Sequence, residues 1–236
     1  MTTSCVSHGG YSPMAPRCFG FVASLLVSSS LFLGQLPANA NSEKLSTPLP
    51  TTNTSATAQV LTQVVPNFGV VTPFLLRGAQ PSRQGFEALK AAGVKTVINL
   101  RDGKKDISNE KELVESMGMK SVSIPLSVFK SVKDEDIEKF LKIVNDPKNG
   151  PIYMHCRQGQ DRCGTMVAIY RLTQQNWGAT QAYDEMLKYG FHPFFIGLTN
   201  SMYRVASNMG RPETPPSANE IYTDLKSRLK QAIGTI

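Results

Sequence analysis

The stretch Pro151–Gly164 reads PIYMHCRQGQDRCG. Its first five residues form a compact apolar run, which predicts a buried strand. Gly164 opens a helical stretch expected over Gly164–Gln175. The loop between a strand end and a helix N-terminus points several backbone N–H groups inward. The result is an anion nest reinforced by the helix dipole. Gly159 lets the chain turn where a side chain would clash, and Gly164 lets the helix start close to the loop. Cys156 begins the loop, so its sulfur is expected at the bottom of the nest. Such a place lowers a thiol pKa from ~8.5 to roughly 3.5–7.5. Arg162 can fold its planar fork over the same point and bind two oxygens of a phosphate. This combination is a nucleophile beneath a bound tetrahedral anion.

Outward from this loop, strand and helix signals alternate. Val70–Leu76 is an apolar run broken by Pro73 into two extended pieces. Ser82 caps a helix through Ala92, ended by Gly93. Val94–Leu100 (VKTVINL) reads as a buried strand. A helix capped by Ser108 runs to Met117, and Met119–Pro125 is a further strand. Near Asp134 a helix begins whose Ile137, Phe140, Leu141 and Val144 share one face. Helices are expected over Thr180–Tyr189 and about Gly197–Met209. Arg211–Asn219, with three prolines, is a connector. In the last helix Ile221, Leu225, Leu229 and Ile233 recur every four residues, a face expected to dock. The fold class is α/β, a central mostly parallel sheet flanked by helices.

His155, then Cys156, five residues and Arg162, resembles the signature of cysteine-dependent protein tyrosine and dual-specificity phosphatases. Phe74–Ser82 (FLLRGAQPS), the stretch Gly85–Arg101 ending in VINLR, and the Cys156 loop together resemble the atypical dual-specificity phosphatases of plants, fungi and bacteria. The resemblance covers about Asn67–Phe194. It implies a protein tyrosine phosphatase-like fold and attack by Cys156 on phosphorus. A phosphocysteine intermediate is then hydrolysed by water, with no metal and no cofactor. Arg162 grips the phosphate; Arg157, Gln158, Gly159, Gln160 and Gly164 surround it, with Arg157 and Gln160 at the rim. His155 orients the loop. The implied general acid is Asp134, 22 residues before Cys156, or Asp161, beside Arg162 as in phosphoinositide phosphatases with an Asp-Arg pair. Asp136 has a similar address, and Asp134 also reads as an ordinary helix N-cap.

Cys163 departs from the family, which usually places Ser or Thr there to hydrogen-bond the cysteine sulfur. A thiol is a weaker donor, so hydrolysis of the phosphoenzyme is expected to slow. Its nearness to Cys156 also suggests a reversible disulfide in an oxidising compartment. Three alternatives follow: a phosphate-binding pseudophosphatase, an inositol phosphate phosphatase, or a thiol redox enzyme using both cysteines. The six-residue gap and Arg162 disfavour the last. Arg77 and Arg101, near strand ends, either bind substrate or brace acidic neighbours.

The 236 residues are 41% apolar and 18% charged, which excludes wholesale disorder and coiled coil. Residues 1–40 hold one basic residue, Arg17, and no acid. The uncharged run Cys18–Leu36 ends in Pro37-Ala38-Asn39-Ala40, the pattern of a cleaved export signal. The expected address is the periplasm or cell envelope, with an organelle lumen or an uncleaved anchor as alternatives. Removing this leader lowers the formal charge from +7 to +6, favouring an anionic partner such as a phosphorylated protein or small molecule. No five-residue basic cluster supports nucleic acid. Residues 41–62, rich in Ser, Thr and Pro, read as a linker, and Asn53-Thr54-Ser55 matches a glycosylation acceptor. The phosphatase-like domain is then 63–210, expected to act as a monomer, and 211–236 a connector and helix. Three His and four Cys, two of them in the leader, cannot assemble a four-ligand zinc site.

Overall fold

The structure is a computed structural model and describes residues 54–233. The leader, the linker up to residue 53 and Asn53 lie outside the described residues. Pro73 splits its apolar run as expected, giving β1 (Gly69–Thr72) antiparallel to β2 (Leu75–Gly78). Parallel pairing adds β3 (Thr96–Asn99), β4 (Lys120–Ser123) and β5 (Ile152–His155), in the order β1-β2-β5-β3-β4. Every residue of β2, β3 and β5 is buried, so these strands read as continuous runs rather than alternations. Three of their polar residues, Arg77, Asn99 and His155, lie buried at or next to their carboxyl ends. In open parallel sheets that edge is where sites form.

Helices cover both faces. On one side α1 (Thr54–Val64), α2 (Arg83–Ala91) and α3 (Lys104–Ser116) bury Leu61, Phe86, Leu89 and Val114 against Val97 and Tyr153. On the other, α4 (Asp134–Val144), α5 (Asp161–Gln175), α6 (Ala179–Lys188) and α7 (Ile196–Asn208) enclose the larger core. Ten residues of α5 are buried, including Cys163, Gly164 and Thr165, so this helix has no polar face to speak of and sits at the centre of its layer.

Four expectations are corrected. Helix α1 occupies residues assigned to the linker; Leu61 and Val65, four apart, bury a small stripe that the Thr-rich composition obscures. Helix α3 begins at Lys104 rather than Ser108, because Asp106 in its first turn pairs with Arg101. Helix α5 begins at Asp161 rather than Gly164, placing Arg162 and Cys163 in its first turn. Helix α8 (Ala218–Ile233) leaves Tyr222, Leu225, Leu229 and Ile233 exposed, so the face expected to dock is not covered. Among the described residues no helix is long and apolar enough to cross a membrane.

Candidate active site

The loop Cys156–Gln160 leaves the end of β5 and enters α5, and each of its carbonyls is held by a partner outside the cup. The Cys156 carbonyl is hydrogen-bonded to His155 Nδ1 at 3.2 Å. Arg157 O accepts from Gln80 N at 3.2 Å, and Gln158 O from Asn67 Nδ2 at 3.1 Å. Gly159 O accepts from Arg77 Nη2 at 2.6 Å, and Gln160 O from Gly164 N at 2.7 Å. A peptide unit whose oxygen is tied one way presents its N–H the other way. Gly159 has φ +70°, and a side chain there would strike the backbone of Gly78 and Ala79 at 2.6–2.8 Å. The glycine is therefore required both by conformation and by contact.

Cys156 is buried, and its pKa falls from 9.0 to about 5. The largest cause is a hydrogen bond from the Cys163 thiol; the N–H groups of Cys163 and Gln158 and the charge of Arg162 add to it, against the opposing effect of burial. Cys163 moves the other way, well above the ordinary thiol value, first through burial and then through donating to Cys156. One sulfur is therefore the anion and the other its donor. The Cys163 thiol also lies 3.6 Å from Gly78 O and 3.9 Å from Met154 O, acceptors that compete for its proton. Both are free thiols in this structure.

A depressed thiol pKa means the anion is lost only as pH falls through the folded value. The acid limb of Cys156 alkylation by iodoacetamide is expected near pH 5. Stability contributed by the anion is present above the unfolded value near 9 and disappears as pH falls through about 5. Alkylation rates measured from pH 4 to 9 check this; a midpoint near 9 contradicts it.

Arg162 is nearly buried and its Nε has no hydrogen-bond partner, while Nη1 donates to Asp102 Oδ1 at 3.1 Å and to Leu126 O at 3.3 Å. Asp161 is buried beneath the loop, where its Oδ1 accepts from both the backbone N–H (2.9 Å) and the Nδ1 (3.0 Å) of His192. Asp134 sits at the exposed start of α4, paired with Arg204. Arg204 also holds Val132 O at 2.8 Å, and Ser201 Oγ accepts from Val132 N at 2.8 Å, so the segment before Asp134 is tied to α7.

His155 Nε2 is 2.8 Å from Glu110 Oε1, and its ring stacks on Tyr153 with centroids 5.8 Å apart. Arg157 and Gln158 are exposed around the loop. Gln160, expected at the rim, turns back against Gly190, where an added Cβ would meet its Nε2 at 2.8 Å. Gly164, expected to ease the helix start, instead admits Met186 of α6, 3.4 Å from an added Cβ. Asp136 lines a small cavity with Leu126 and Lys133.

Four contributors escape the sequence reading. Glu110 is legible only as an acid on the apolar stripe of α3, four residues before buried Val114. Asp102 follows the VINLR strand directly. Asn67, with φ +51°, braces Gln158 and Tyr189 carbonyls and carries no sequence signal. His192 is bound into the loop through Asp161.

With this geometry in view, residues 64–195 match the family model described as DSP-PTPase phosphatase fused to NAD+ kinase. The dual specificity protein phosphatase TpbA of Pseudomonas aeruginosa is 28% identical over 122 residues, covering 51% of this chain and 53% of TpbA. The inositol diphosphatase SIW14 of Saccharomyces cerevisiae is 27% identical over 139 residues, covering 55% and 48% of the two chains. The chain thus spans about half the length of these curated relatives. A crystal structure of a putative phosphatase from Shewanella putrefaciens CN-32 superposes with TM-score 0.53 at 29% identity, covering 62% of this chain and 92% of that one.

Proposed function

Since this chain belongs to the DSP-PTPase phosphatase family by its residues 64–195, we propose that it hydrolyses phosphomonoesters through a phosphocysteine intermediate on Cys156, without a metal. The observation that carries this reading is Cys156 buried at the head of a strand-to-helix loop whose carbonyls are tied outward, its thiol pKa lowered to about 5 by Cys163, loop N–H groups and Arg162. Thiolate attack forms an S–P bond as the ester P–O bond breaks, and the departing oxygen takes a proton from an acid. Water then attacks phosphorus, the S–P bond breaks, and inorganic phosphate leaves. Arg162 Nη1, now shared between Asp102 and Leu126 O, turns to the phosphate oxygens. A pure binder has no use for a poised nucleophile, which weighs against the pseudophosphatase.

The test is hydrolysis of an aryl phosphate in EDTA, with rapid acid quenching and mass analysis of the Cys156 peptide. A phosphorylated Cys156 and EDTA-resistant turnover support the reading; turnover that needs added metal, or that never labels Cys156, overturns it. Relatives named as a protein phosphatase and an inositol diphosphatase leave two substrate classes within this proposal, a phosphoprotein or a phosphorylated inositol. Relative kcat/KM on phosphotyrosyl peptide and on inositol diphosphate separates them. The leader pattern read over residues 1–40 supports an exported compartment as part of the same proposal.

Asp134 is proposed as the acid, since Asp161 has one oxygen committed to two His192 donors under the loop. Asp134→Asn is expected to lower kcat about 10²-fold on an alkyl phosphate and much less on an aryl ester whose oxygen leaves unaided. Asp161→Asn should lower the melting temperature more than it changes this leaving-group dependence. The reverse pattern reassigns the acid to Asp161, and the same signature in Asp102→Asn would reassign it there.

A further inference from the structure

Arg77 is the one arginine of β2, and the sequence reading gives it two roles: binding substrate or bracing an acid. It does neither. The side chain is 1% exposed, behind the loop rather than at its mouth. Its Cζ lies 3.8 Å from the centroid of the Tyr189 ring, and Nη2 donates to Gly159 O at 2.6 Å. Nε and Nη1 are buried and find no acceptor. Among the described residues no carboxylate lies within ion-pair distance of it. A buried guanidinium without a counter-anion is costly; burial pulls the Arg77 pKa below the ordinary arginine value, although a guanidinium keeps its proton in proteins.

Four groups act on its charge against the effect of burial: Cys163 on α5, Tyr189 in the turn after α6, Glu185 on α6 and Cys156 in the loop. Glu185 is engaged elsewhere, bidentate on Arg171 at 2.6 and 2.9 Å. Tyr189 offers its ring face. Tyr153, on β5, is buried with its hydroxyl donated to Ala79 O at 2.6 Å. His155 and Glu110 form their own pair on the α3 side, and Arg162 reaches the sulfur from the phosphate side. The anion left for Arg77 is the sulfur pair Cys156–Cys163.

We propose that Arg77 is a positioning residue with two linked actions: it turns the Gly159 carbonyl out of the phosphate cup, and its fixed charge behind the loop holds the Cys156–Cys163 pair in its singly ionised form. Asn67 and Gln80 perform the first action at neighbouring carbonyls without charge; Arg77 alone adds the second. Arg162 shifts its contacts to substrate during turnover, whereas Arg77 is sealed from solvent, so its charge acts on the sulfur at every step. The inference rests on Cys156 being the reactive sulfur, as proposed above.

The experiment uses the full chain with Arg77→Gln, which keeps a donor for Gly159 O but no charge, and Arg77→Lys, which keeps both. The readout is the pH midpoint of iodoacetamide alkylation at Cys156, which needs no phosphatase turnover; melting curves report folding. Arg77→Gln is expected to raise the midpoint by about one pH unit, and Arg77→Lys to leave it within a few tenths. Asn67→Ala, which removes a brace and no charge, should lower kcat without moving the midpoint. Equal midpoints in Arg77→Gln and the native protein, or an Arg77→Lys midpoint raised as far as that of Arg77→Gln, overturn the proposal. If Arg77→Gln does not fold, a rise of about one pH unit in Arg77→Lys or in Asn67→Ala overturns it. A midpoint shift in a protein without aryl phosphatase activity would uphold Arg77 and sink the phosphatase reading instead.

Discussion

Cys156→Ser is expected to lower aryl phosphate turnover on the order of 10⁴-fold or more while leaving phosphate binding within a few-fold of native. With a pKa of about 5 the native sulfur is almost wholly ionised at pH 7. A serine hydroxyl at the same point has no comparable anion to offer, and no other buried thiolate can substitute, because Cys163 is driven to its neutral form by burial. The binding half of the site does not depend on sulfur. The N–H of Gln158 still points inward, since the Arg157 carbonyl of the same peptide unit remains tied to Gln80, and the N–H of Cys163 is set by the first turn of α5. Arg162 keeps its fork. Removing the sulfur's negative charge also removes its repulsion of an incoming phosphate. Single-turnover kinetics on the aryl ester and calorimetric titration with inorganic phosphate measure the two halves separately. Activity within tenfold of native would sink the covalent route. Loss of phosphate binding along with turnover would mean that the cup is organised by the anion itself rather than by its braces.

The strand before Cys156, the loop and the helix after it are legible because the chemistry is contiguous. Val94–Leu100 and Pro151–His155 are legible as buried strands because both are short, rich in apolar and β-branched residues, and covered on both faces. The braces are not legible. Asn67, Gln80, Arg77 and Glu110 act across 45 to 91 residues of chain, and each looks like an ordinary polar residue until the sheet order places β2 and β3 on either side of β5. The start of α5 is misplaced for a related reason. Gly164 suggests a helix beginning, but Gln160 O already accepts from Gly164 N, and the first turn is closed around the loop itself. The error matters chemically, because it is what puts the Cys163 thiol and N–H on the Cys156 sulfur. Conversely, the stripe of α8 is read correctly as apolar yet stays exposed; periodicity shows that a face exists, not that a partner covers it.

Gly159→Ala tests whether the braces or the nucleophile limit the site. At φ +70° an alanine costs about 1–2 kcal/mol relative to glycine. Its methyl would also sit 2.6–2.8 Å from Gly78 C, Gly78 O and Ala79 N, backbone atoms of the strand end that pairs with His155. These cannot swing aside as a side-chain tip would, so relief must come from moving the loop, at a further cost of about 1–3 kcal/mol. The carbonyl that Arg77 holds belongs to this same residue. Moving it disturbs the orientation of the peptide units on both sides, and displacement of a reacting group by about 1 Å is enough to lower rate roughly 10²-fold. The variant is therefore expected to melt measurably lower and to lose at least about 10²-fold in kcat/KM, with weaker phosphate binding. That last effect is what distinguishes it from Cys156→Ser, which keeps the cup and loses the attack. The alkylation midpoint gives an independent reading: with the loop N–H groups misdirected, the sulfur loses donors and its midpoint should climb from near 5 toward the ordinary thiol value. A Gly159→Ala protein that binds phosphate and alkylates like the native one would show that the cup tolerates rearrangement, and that the outward ties of the loop carbonyls do not set its chemistry.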